Sequence, residues 1–197
     1  MKVIGIAGES GTGKTMIGEH LAGRGAVHID ADRVGHELLV GSRDVIEAVR
    51  AIFGDSVFDG DGVVDRRKLG EHVFADEDLR KRLNSVIHPA IRARCGELVE
   101  EARERGAPFV VIDAALLLDS QMPFSFDLLI GLRASHEVQV ERLLARGGYT
   151  EQEIRARLAS QEAVEKSFYK AGVVVDTEKE RDEVLAEIDR LVDGIVN

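Results

Sequence analysis

Residues 8–15 read Gly8-Glu9-Ser10-Gly11-Thr12-Gly13-Lys14-Thr15 and match the pattern G-x-x-x-x-G-K-[ST] at every fixed position. A short apolar run, Lys2 to Ala7, precedes the motif, and a helical pattern follows it. Glycines let backbone N–H groups close around a phosphate because no side chain obstructs the approach. The helix that begins near Gly13 adds the positive end of its dipole. The motif therefore predicts a phosphate-binding loop for ATP or GTP, and the alternative is a glycine-rich turn that contains Lys and Thr by coincidence.

Lys14 and Thr15 have separate predicted roles in this loop. The Lys14 ammonium would reach the β- and γ-phosphates, and the Thr15 hydroxyl would ligate a Mg²⁺ that bridges them. Mg²⁺ with ATP as phosphoryl donor is therefore the expected cofactor. The predicted nucleotide-binding residues of this segment are Gly8, Gly11, Thr12, Gly13, Lys14, Thr15 and Met16.

Five short apolar runs predict a parallel sheet, because each run is nearly continuous, as in strands that are buried on both faces. Long amphipathic stretches separate them, which is typical of helices packed on both sides of such a sheet. The predicted strands are Lys2 to Ala7, Ala26 to Ile29, Phe109 to Ile112, Asp127 to Leu132 and Val173 to Val175. We therefore expect an α/β fold: a doubly wound, five-stranded parallel sheet that carries the phosphate loop, with residues 1–197 forming one P-loop domain.

The interval between the second and third predicted strands is much longer than one crossover helix requires. Its composition is helical and charged, so residues 55–105 are expected to form a helical insertion. Within it, Asp59-Gly60-Asp61-Gly62 predicts a turn, Asp76 predicts a helix N-cap, and Pro89 is expected to bend or start a helix.

Residues 135–165 are expected to form two helices around a glycine hinge. Ser135 can cap a first helix, and Gly147-Gly148 would end it and serve as a hinge. Thr150-Glu151-Gln152-Glu153 has the spacing of a capping box at the start of a second helix.

The composition excludes several classes of partner. A net charge of −10 and an aromatic content of 5% without Trp argue against a nucleic-acid-binding surface. The single cysteine, Cys95, can form no internal disulfide, which fits a reducing compartment. The N-terminal run is too short for a signal-peptide core, and charges interrupt every apolar run well short of the roughly 20 residues of a membrane span. We expect a soluble, cytoplasmic protein, monomeric or weakly homo-oligomeric, with neither nucleic-acid nor membrane partners.

Two carboxylates, Asp30 and Asp32, follow the second predicted strand at the sheet edge that carries the phosphate loop. A carboxylate that accepts the proton of a substrate hydroxyl can contribute roughly 10² to 10⁴ in rate, although the pair could instead only cap the helix that starts near Arg33. A GTPase would ordinarily carry Asn-Lys-x-Asp, yet the only asparagines are Asn84, which Ser85 follows, and Asn197. A translocating or transport ATPase is usually larger. A small-molecule kinase is therefore the expected class.

Further blocks follow the phosphate loop, and most of them lie in or near the predicted insertion. They are Asp30-Ala31-Asp32 with Val34-Gly35-His36-Glu37-Leu38, Val64-Asp65-Arg66-Arg67-Lys68-Leu69, Val73-Phe74, Leu83-Asn84-Ser85-Val86-Ile87-His88-Pro89-Ala90-Ile91, Asp113-Ala114-Ala115-Leu116-Leu117-Leu118-Asp119, and then Gln139, Arg142, Arg146, Thr150 and Gln161. In content and order these blocks resemble the dephospho-coenzyme A kinase family, and the resemblance spans nearly the whole chain.

The resemblance implies transfer of the ATP γ-phosphoryl group to the ribose 3′-hydroxyl of dephospho-CoA, which gives coenzyme A in the last step of its biosynthesis. It implies that Asp32 is the catalytic base, that Lys14 is catalytic in holding the phosphates, and that Arg142 stabilises the transferred group. Arg146 would join the nucleotide-binding residues. Arg142 and Arg146 lie four apart on one predicted helix face, where like charges repel unless an anion lies between them. The alternative is a solvated charged face relieved by Glu141.

The resemblance also implies that residues 55–105 bind the acceptor substrate and that residues 135–165 form a helical lid. Acceptor contacts would come from Asp32, Arg66, His88 and Leu117. Arg66 could instead be an ordinary helix-surface residue, and His88 a buried, hydrogen-bonded histidine at a helix start. Asp113 would act on Mg²⁺ through water, with a strand-end cap as its alternative.

The chain departs from the family pattern at four places. Ala115 stands where the family has proline, Asp119 where it has glutamate, and Glu9-Ser10 where it usually has Gly-Ile. Val175-Asp176-Thr177-Glu178-Lys179 replaces an Asn-containing turn that borders the adenine. Two other functions stay open: a P-loop kinase for another small hydroxyl or nucleoside monophosphate acceptor, and a nucleotide-binding regulator without turnover.

Overall fold

A computed structural model describes residues 1–114, 121–159, 161 and 172–196, with the side chains of 74 and 75 excepted. Strands and helices alternate along most of this chain. In order they are β1 Lys2–Ala7, α1 Lys14–Gly23, β2 Val27–Asp30, α2 Ala31–Gly41, α3 Arg43–Phe53, a 3-10 turn Gly54–Val57, α4 Arg66–Ala75, α5 Glu77–Glu104, β3 Phe109–Ala114, β4 Leu128–Arg133, α6 His136–Arg146, α7 Glu151–Ala159, β5 Val173–Asp176 and α8 Arg181–Val196.

The five strands form one sheet in the order β2-β3-β1-β4-β5, and every neighbouring pair is parallel. The predicted α/β fold with a five-stranded parallel sheet is therefore confirmed. The strand limits differ slightly from those predicted, because β2 runs one residue further, to Asp30, and β3 two residues further, to Ala114. Asp113 consequently lies inside the ladder, in register with Ile6 of β1 and Asp30 of β2, and does not simply cap the strand end.

The chain divides into two compact units, and the first comprises Met1–Asp30 and Leu98–Asn197. Its main core lies on the sheet face that carries alternate residues of each strand, such as Ile4, Ile6 and Val111. Apolar residues of α1 and α8, including Ile17 and Ile188, pack into the same core and are fully buried. This packing holds α1, the helix that follows the phosphate loop, against the sheet.

The second unit comprises Ala31–Glu97 and has a core of its own. It includes α2, α3, α4 and the part of α5 up to Glu97, so the compact unit begins earlier than residue 55 and ends before residue 105. Its buried residues include Val49, Val57 and Leu69, which lie on α3, on the 3-10 turn and on α4.

Several local predictions are confirmed by backbone and side-chain hydrogen bonds. Asp59 closes its turn by accepting from the backbone N–H groups of Asp61 and Val63. Asp76 caps α5, and Thr150 and Glu153 exchange the two hydrogen bonds of a capping box.

Two further features of the helices bear on the predictions. The helix α5 continues through Pro89, so a helix start at that residue is wrong. Within the described ranges no helix combines the length and apolar character needed to cross a bilayer.

Candidate active site

The phosphate loop joins β1 to α1, and its glycines stand where side chains would not fit. A Cβ atom at Gly8 would lie 2.6 Å from Thr12 Oγ1 and 2.9 Å from the carbonyl oxygen of Leu132. Gly11 has φ +84° and a Cβ there would lie 2.9 Å from the Gln139 carbonyl oxygen, while Gly13 has φ +92°. The loop therefore has the tight, left-handed backbone that a phosphate cradle requires.

The Lys14 ammonium lies against the backbone of this loop. Its Nζ donates to the carbonyl oxygens of Gly8 at 2.9 Å and Glu9 at 3.0 Å. Thr12 Oγ1 donates to the same Glu9 oxygen at 2.8 Å, which tightens the loop. Lys14 is half-buried, so its positive charge is held where phosphate oxygens would enter.

Thr15 and Asp113 are the two residues that the sequence analysis predicts near a nucleotide-bound Mg²⁺, and both carry oxygen donors. Thr15 lies in the first turn of α1, next to Met16, and Asp113 is 2% exposed in β3. Over the part of the chain that the structure describes, no group of three or more His, Cys, Asp or Glu side chains could hold a metal by itself. Mg²⁺ usually takes only one or two protein ligands and completes its shell with water and phosphate, so this donor set fits it.

Glu9 and Ser10 of the phosphate loop contact residues of α6 and Gln161. Glu9 is 3% exposed, and its Oε2 accepts from Gln139 Nε2 at 3.1 Å. His136 Nε2 lies 3.6 Å from the same Glu9 oxygen, and the backbone N–H of Ser10 donates to Gln161 Oε1 at 2.9 Å. Gln139 and Gln161, two of the predicted lid residues, are thus in contact with the loop.

Arg142 also lies at the phosphate loop. Its Nη1 donates to the Gly11 carbonyl oxygen at 3.2 Å and to Thr177 Oγ1 at 3.2 Å, and its Nη2 donates to the Thr177 carbonyl oxygen at 2.5 Å. Thr177 is 3% exposed, and its own hydroxyl donates to the Arg133 carbonyl oxygen. Arg146, one helical turn further on, is exposed at the end of α6, so of these two arginines it is Arg142 that contacts the loop.

A histidine that the sequence analysis did not select contacts Asp113. His28 Nε2 lies 2.6 Å from Asp113 Oδ2, and the side chains are 16% and 3% exposed. The hydrogen bond to Asp113 raises the pKa of His28 above its ordinary value, against the effect of burial. The negative charges of Asp113, Asp30 and Glu19 also raise the pKa of His28.

Of the predicted acceptor-side residues, Asp32, Arg66 and His88 belong to the second unit. Asp32 is exposed in the first turn of α2. Arg66 is the first residue of α4, which Asp65 caps by accepting from the backbone N–H groups of Arg67 and Lys68. Arg66 Nη2 lies 2.9 Å from His36 Nε2. Because a guanidinium can only donate, the His36 nitrogen must accept in this contact.

His88 lies in the middle of α5 and not at a helix start, so that part of the prediction is wrong. It is half-buried, and burial together with the charge of Arg92 lowers its pKa below the ordinary value. The neutral imidazole is therefore favoured. Leu117, and the family departures at Ala115 and Asp119, lie outside the described residues.

His28 and Thr177 are the contacts that sequence reasoning missed. One signal was available for His28: it interrupts the apolar run Val27-His28-Ile29, and a polar group in a buried strand needs a hydrogen-bond partner. For Thr177 no comparable signal exists, because the residue follows β5 in a polar turn.

The first strand of the parallel sheet leads through this glycine loop into α1. Lys14 lies on the loop and Arg142 at its edge. Together these features define a P-loop nucleotide-binding protein of the kinase type. Comparison with known proteins narrows the class. The family model described as dephospho-CoA kinase matches residues 2–183. A dephospho-CoA kinase from Thermobifida fusca is 36% identical over 191 residues, which are 95% of this chain and 94% of that protein.

Solved structures agree with this comparison. A crystal structure of a Thermus thermophilus protein matches with a TM-score of 0.77 at 26% identity, over 98% of this chain and 97% of that one. Dephospho-CoA kinase from Campylobacter jejuni has a TM-score of 0.65 at 21% identity, over 100% and 98% of the two chains, and supports the fold. The chain belongs to the dephospho-CoA kinase family, and the predicted family and enzyme class, a phosphotransferase, are confirmed.

Proposed function

We propose that the protein transfers the γ-phosphoryl group of ATP to the ribose 3′-hydroxyl of dephospho-CoA and so produces coenzyme A. The observation that carries this proposal is the match of the dephospho-CoA kinase family model to residues 2–183. The phosphate loop supplies the nucleotide side of the reaction, since the Lys14 ammonium lies on the loop carbonyls of Gly8 and Glu9.

The donor side of the proposed mechanism rests on residues of the first unit. Lys14 and the loop backbone would hold the β- and γ-phosphates, and Arg142, already at the Gly11 carbonyl, would offset charge on the transferred group. Thr15 would hold Mg²⁺ directly and Asp113 through water. At these residues a bound Mg²⁺ would supply positive charge that offsets the charge of the nucleotide phosphates.

The acceptor side of the mechanism rests mainly on residues of the second unit. Asp32 would accept the proton of the 3′-hydroxyl, and its exposure in the first turn of α2 leaves the carboxylate accessible to a substrate. Arg66, His88 and Leu117 would contact the acceptor. Residues 55–105 would form most of the acceptor site, and residues 135–165 would close over the nucleotide and exclude water, with Gly147-Gly148 as hinge.

Two other functions were compatible with the motifs, and the family comparison does not favour either. One is a P-loop kinase for a different small hydroxyl or for a nucleoside monophosphate, and the other is a nucleotide-binding regulator without turnover. A cytoplasmic location, a monomeric or weakly oligomeric state and the absence of nucleic-acid partners stay predictions.

An acceptor panel separates these functions. Purified protein is incubated with ATP and Mg²⁺ together with dephospho-CoA, pantothenate, nucleosides or nucleoside monophosphates, and products are identified by mass. We expect one added phosphoryl group on dephospho-CoA alone, and none with Lys14→Ala. Transfer to another acceptor would identify a different kinase, and no transfer to any acceptor would support the regulator.

A further inference from the structure

The sheet register places an ionisable cluster on the face that α1 covers. His28 pairs with Val111, and Asp30 pairs with Asp113 in the β2–β3 ladder. Registered neighbours in a parallel sheet point to the same face, and residues two apart on a strand share it. His28, Asp30 and Asp113 therefore share one face. The partner of Asp113 on β1 is Ile6, which belongs to the core that packs α1.

The helix α1 leaves space for the imidazole of His28 because residue 18 is a glycine. A Cβ atom at Gly18 would lie 2.2 Å from His28 Nε2 and 2.4 Å from Cε1. Any side chain at position 18 would consequently displace the ring. Gly18 belongs to the helix that begins with Lys14 and Thr15, so the ring occupies a recess in the same element that carries the phosphate-binding residues.

Asp113 is held by a hydrogen bond from this ring. An ionised carboxylate can only accept, so His28 Nε2–H donates to Asp113 Oδ2 across 2.6 Å. With Oδ2 engaged and the side chain 3% exposed, rotation of the carboxylate would break a buried hydrogen bond. The orientation of the second oxygen is therefore fixed as well.

We infer that His28 is a positioning residue that orients the Asp113 carboxylate toward the water shell of nucleotide-bound Mg²⁺. The inference rests on the proposed function in one respect, the water-mediated role of Asp113. Hydrogen-bond partners that orient metal-site residues typically contribute 10- to 100-fold to metal affinity or activity. His28 orients Asp113 from the neighbouring strand β2, and the missing side chain at Gly18 leaves space for the imidazole ring.

The test measures binding of a non-hydrolysable ATP analogue by calorimetry, with Mg²⁺ and with EDTA. His28→Val should weaken binding about tenfold with Mg²⁺ and leave binding in EDTA unchanged. His28→Gln keeps an N–H donor and should restore most of the affinity. Gly18→Ala should act in the same direction as His28→Val, because the methyl group displaces the ring.

The matched control is His20, whose Nε2 lies 2.8 Å from a carboxylate oxygen of Asp189. His20→Gln changes the same kind of pair on α1 and should leave Mg²⁺-dependent binding unchanged. Asp113→Asn should reproduce the loss, and combining it with His28→Val should add little, since both act through one group.

Three results would overturn the inference. The first is an equal loss of analogue affinity with Mg²⁺ and with EDTA, and the second is full affinity in Asp113→Asn. The third is no loss of affinity in His28→Val or, should that variant not fold, in Gly18→Ala. Failure of the proposed function is seen separately, as absence of phosphoryl transfer to dephospho-CoA by the unmodified protein. Analogue binding does not depend on the acceptor, so it tests His28 in either case.

Discussion

The Arg142 guanidinium joins the loop after β5 to the phosphate loop: Nη2 donates to the Thr177 carbonyl oxygen at 2.5 Å and Nη1 to the Gly11 carbonyl oxygen at 3.2 Å. Hydrogen bonds on both terminal nitrogens hold the planar guanidinium in one orientation. The side chain would therefore lose little conformational freedom when a phosphate binds. The loop after β5, where the chain departs from the family pattern, therefore helps to hold the Arg142 side chain in place.

Arg142→Ala is expected to lower kcat by about 10²- to 10³-fold, the range found when one donor to developing charge is removed. Steady-state kinetics with ATP and dephospho-CoA measure the effect. Arg155→Ala is the control, because Arg155 on α7 is an exposed arginine paired with Glu151. Equal kcat in Arg142→Ala and the unmodified protein would remove Arg142 from the mechanism.

Asp32→Asn is expected to lower kcat by at least about 10²-fold while folding and ATP binding persist, because the amide cannot accept the hydroxyl proton. Asp44→Asn is the matched control, since Asp44 is likewise exposed in the first turn of its helix, α3. Unchanged turnover in Asp32→Asn would show that another group is the base.

Gly11→Ala is expected to destabilise the protein by about 1–3 kcal/mol, because alanine is strained at positive φ. The added Cβ would also lie 2.9 Å from the Gln139 carbonyl oxygen. Gly23→Ala provides the contrast: its Cβ would meet nothing within 4 Å, and Ala should stabilise this α1 position by up to about 1 kcal/mol. Urea unfolding measures both, and equal stability of the two variants would contradict the account of the loop.

Asp127 is expected to make the stability of the first unit pH-dependent. Hydrogen bonds from Lys2 Nζ and from the Val3 backbone N–H lower the pKa of Asp127 below its ordinary 3.8, against the effect of burial. A lowered folded-state pKa contributes stability above the unfolded-state value, and that stability is lost as the pH falls through the folded-state pKa.

Asp127→Asn should therefore be less stable than the unmodified protein at neutral pH, and the difference should shrink as the pH falls below 3.8. Urea unfolding at a series of pH values measures the difference. A difference that is the same at neutral and strongly acidic pH would show that the carboxylate charge is not its source.

The phosphate loop and the five strands could be predicted because both are local patterns. A motif of eight residues specifies the loop, and continuous apolar runs specify buried parallel strands. The limits of β2 and β3 are harder to predict, since Asp30 and Asp113 are polar and look like strand ends. The ladder holds both inside the sheet.

The contacts of Asp113 and Arg142 could not be predicted in the same way. His28 meets Asp113 across 85 positions of sequence, and only the strand order, with β2 beside β3, brings them together. Arg142 meets Thr177 across 35 positions for a similar reason, because β4 lies beside β5. Such pairs depend on topology and packing, which single-residue patterns do not encode.

Phosphorus NMR of the product formed from ATP and dephospho-CoA tests the central claim most directly, because it reports both the transfer and the position of the new phosphate. The proposed function predicts a monophosphate ester on the ribose 3′-oxygen, formed only when ATP is present and absent with Lys14→Ala. A phosphate on another oxygen, or no phosphorylated dephospho-CoA at all, would contradict it.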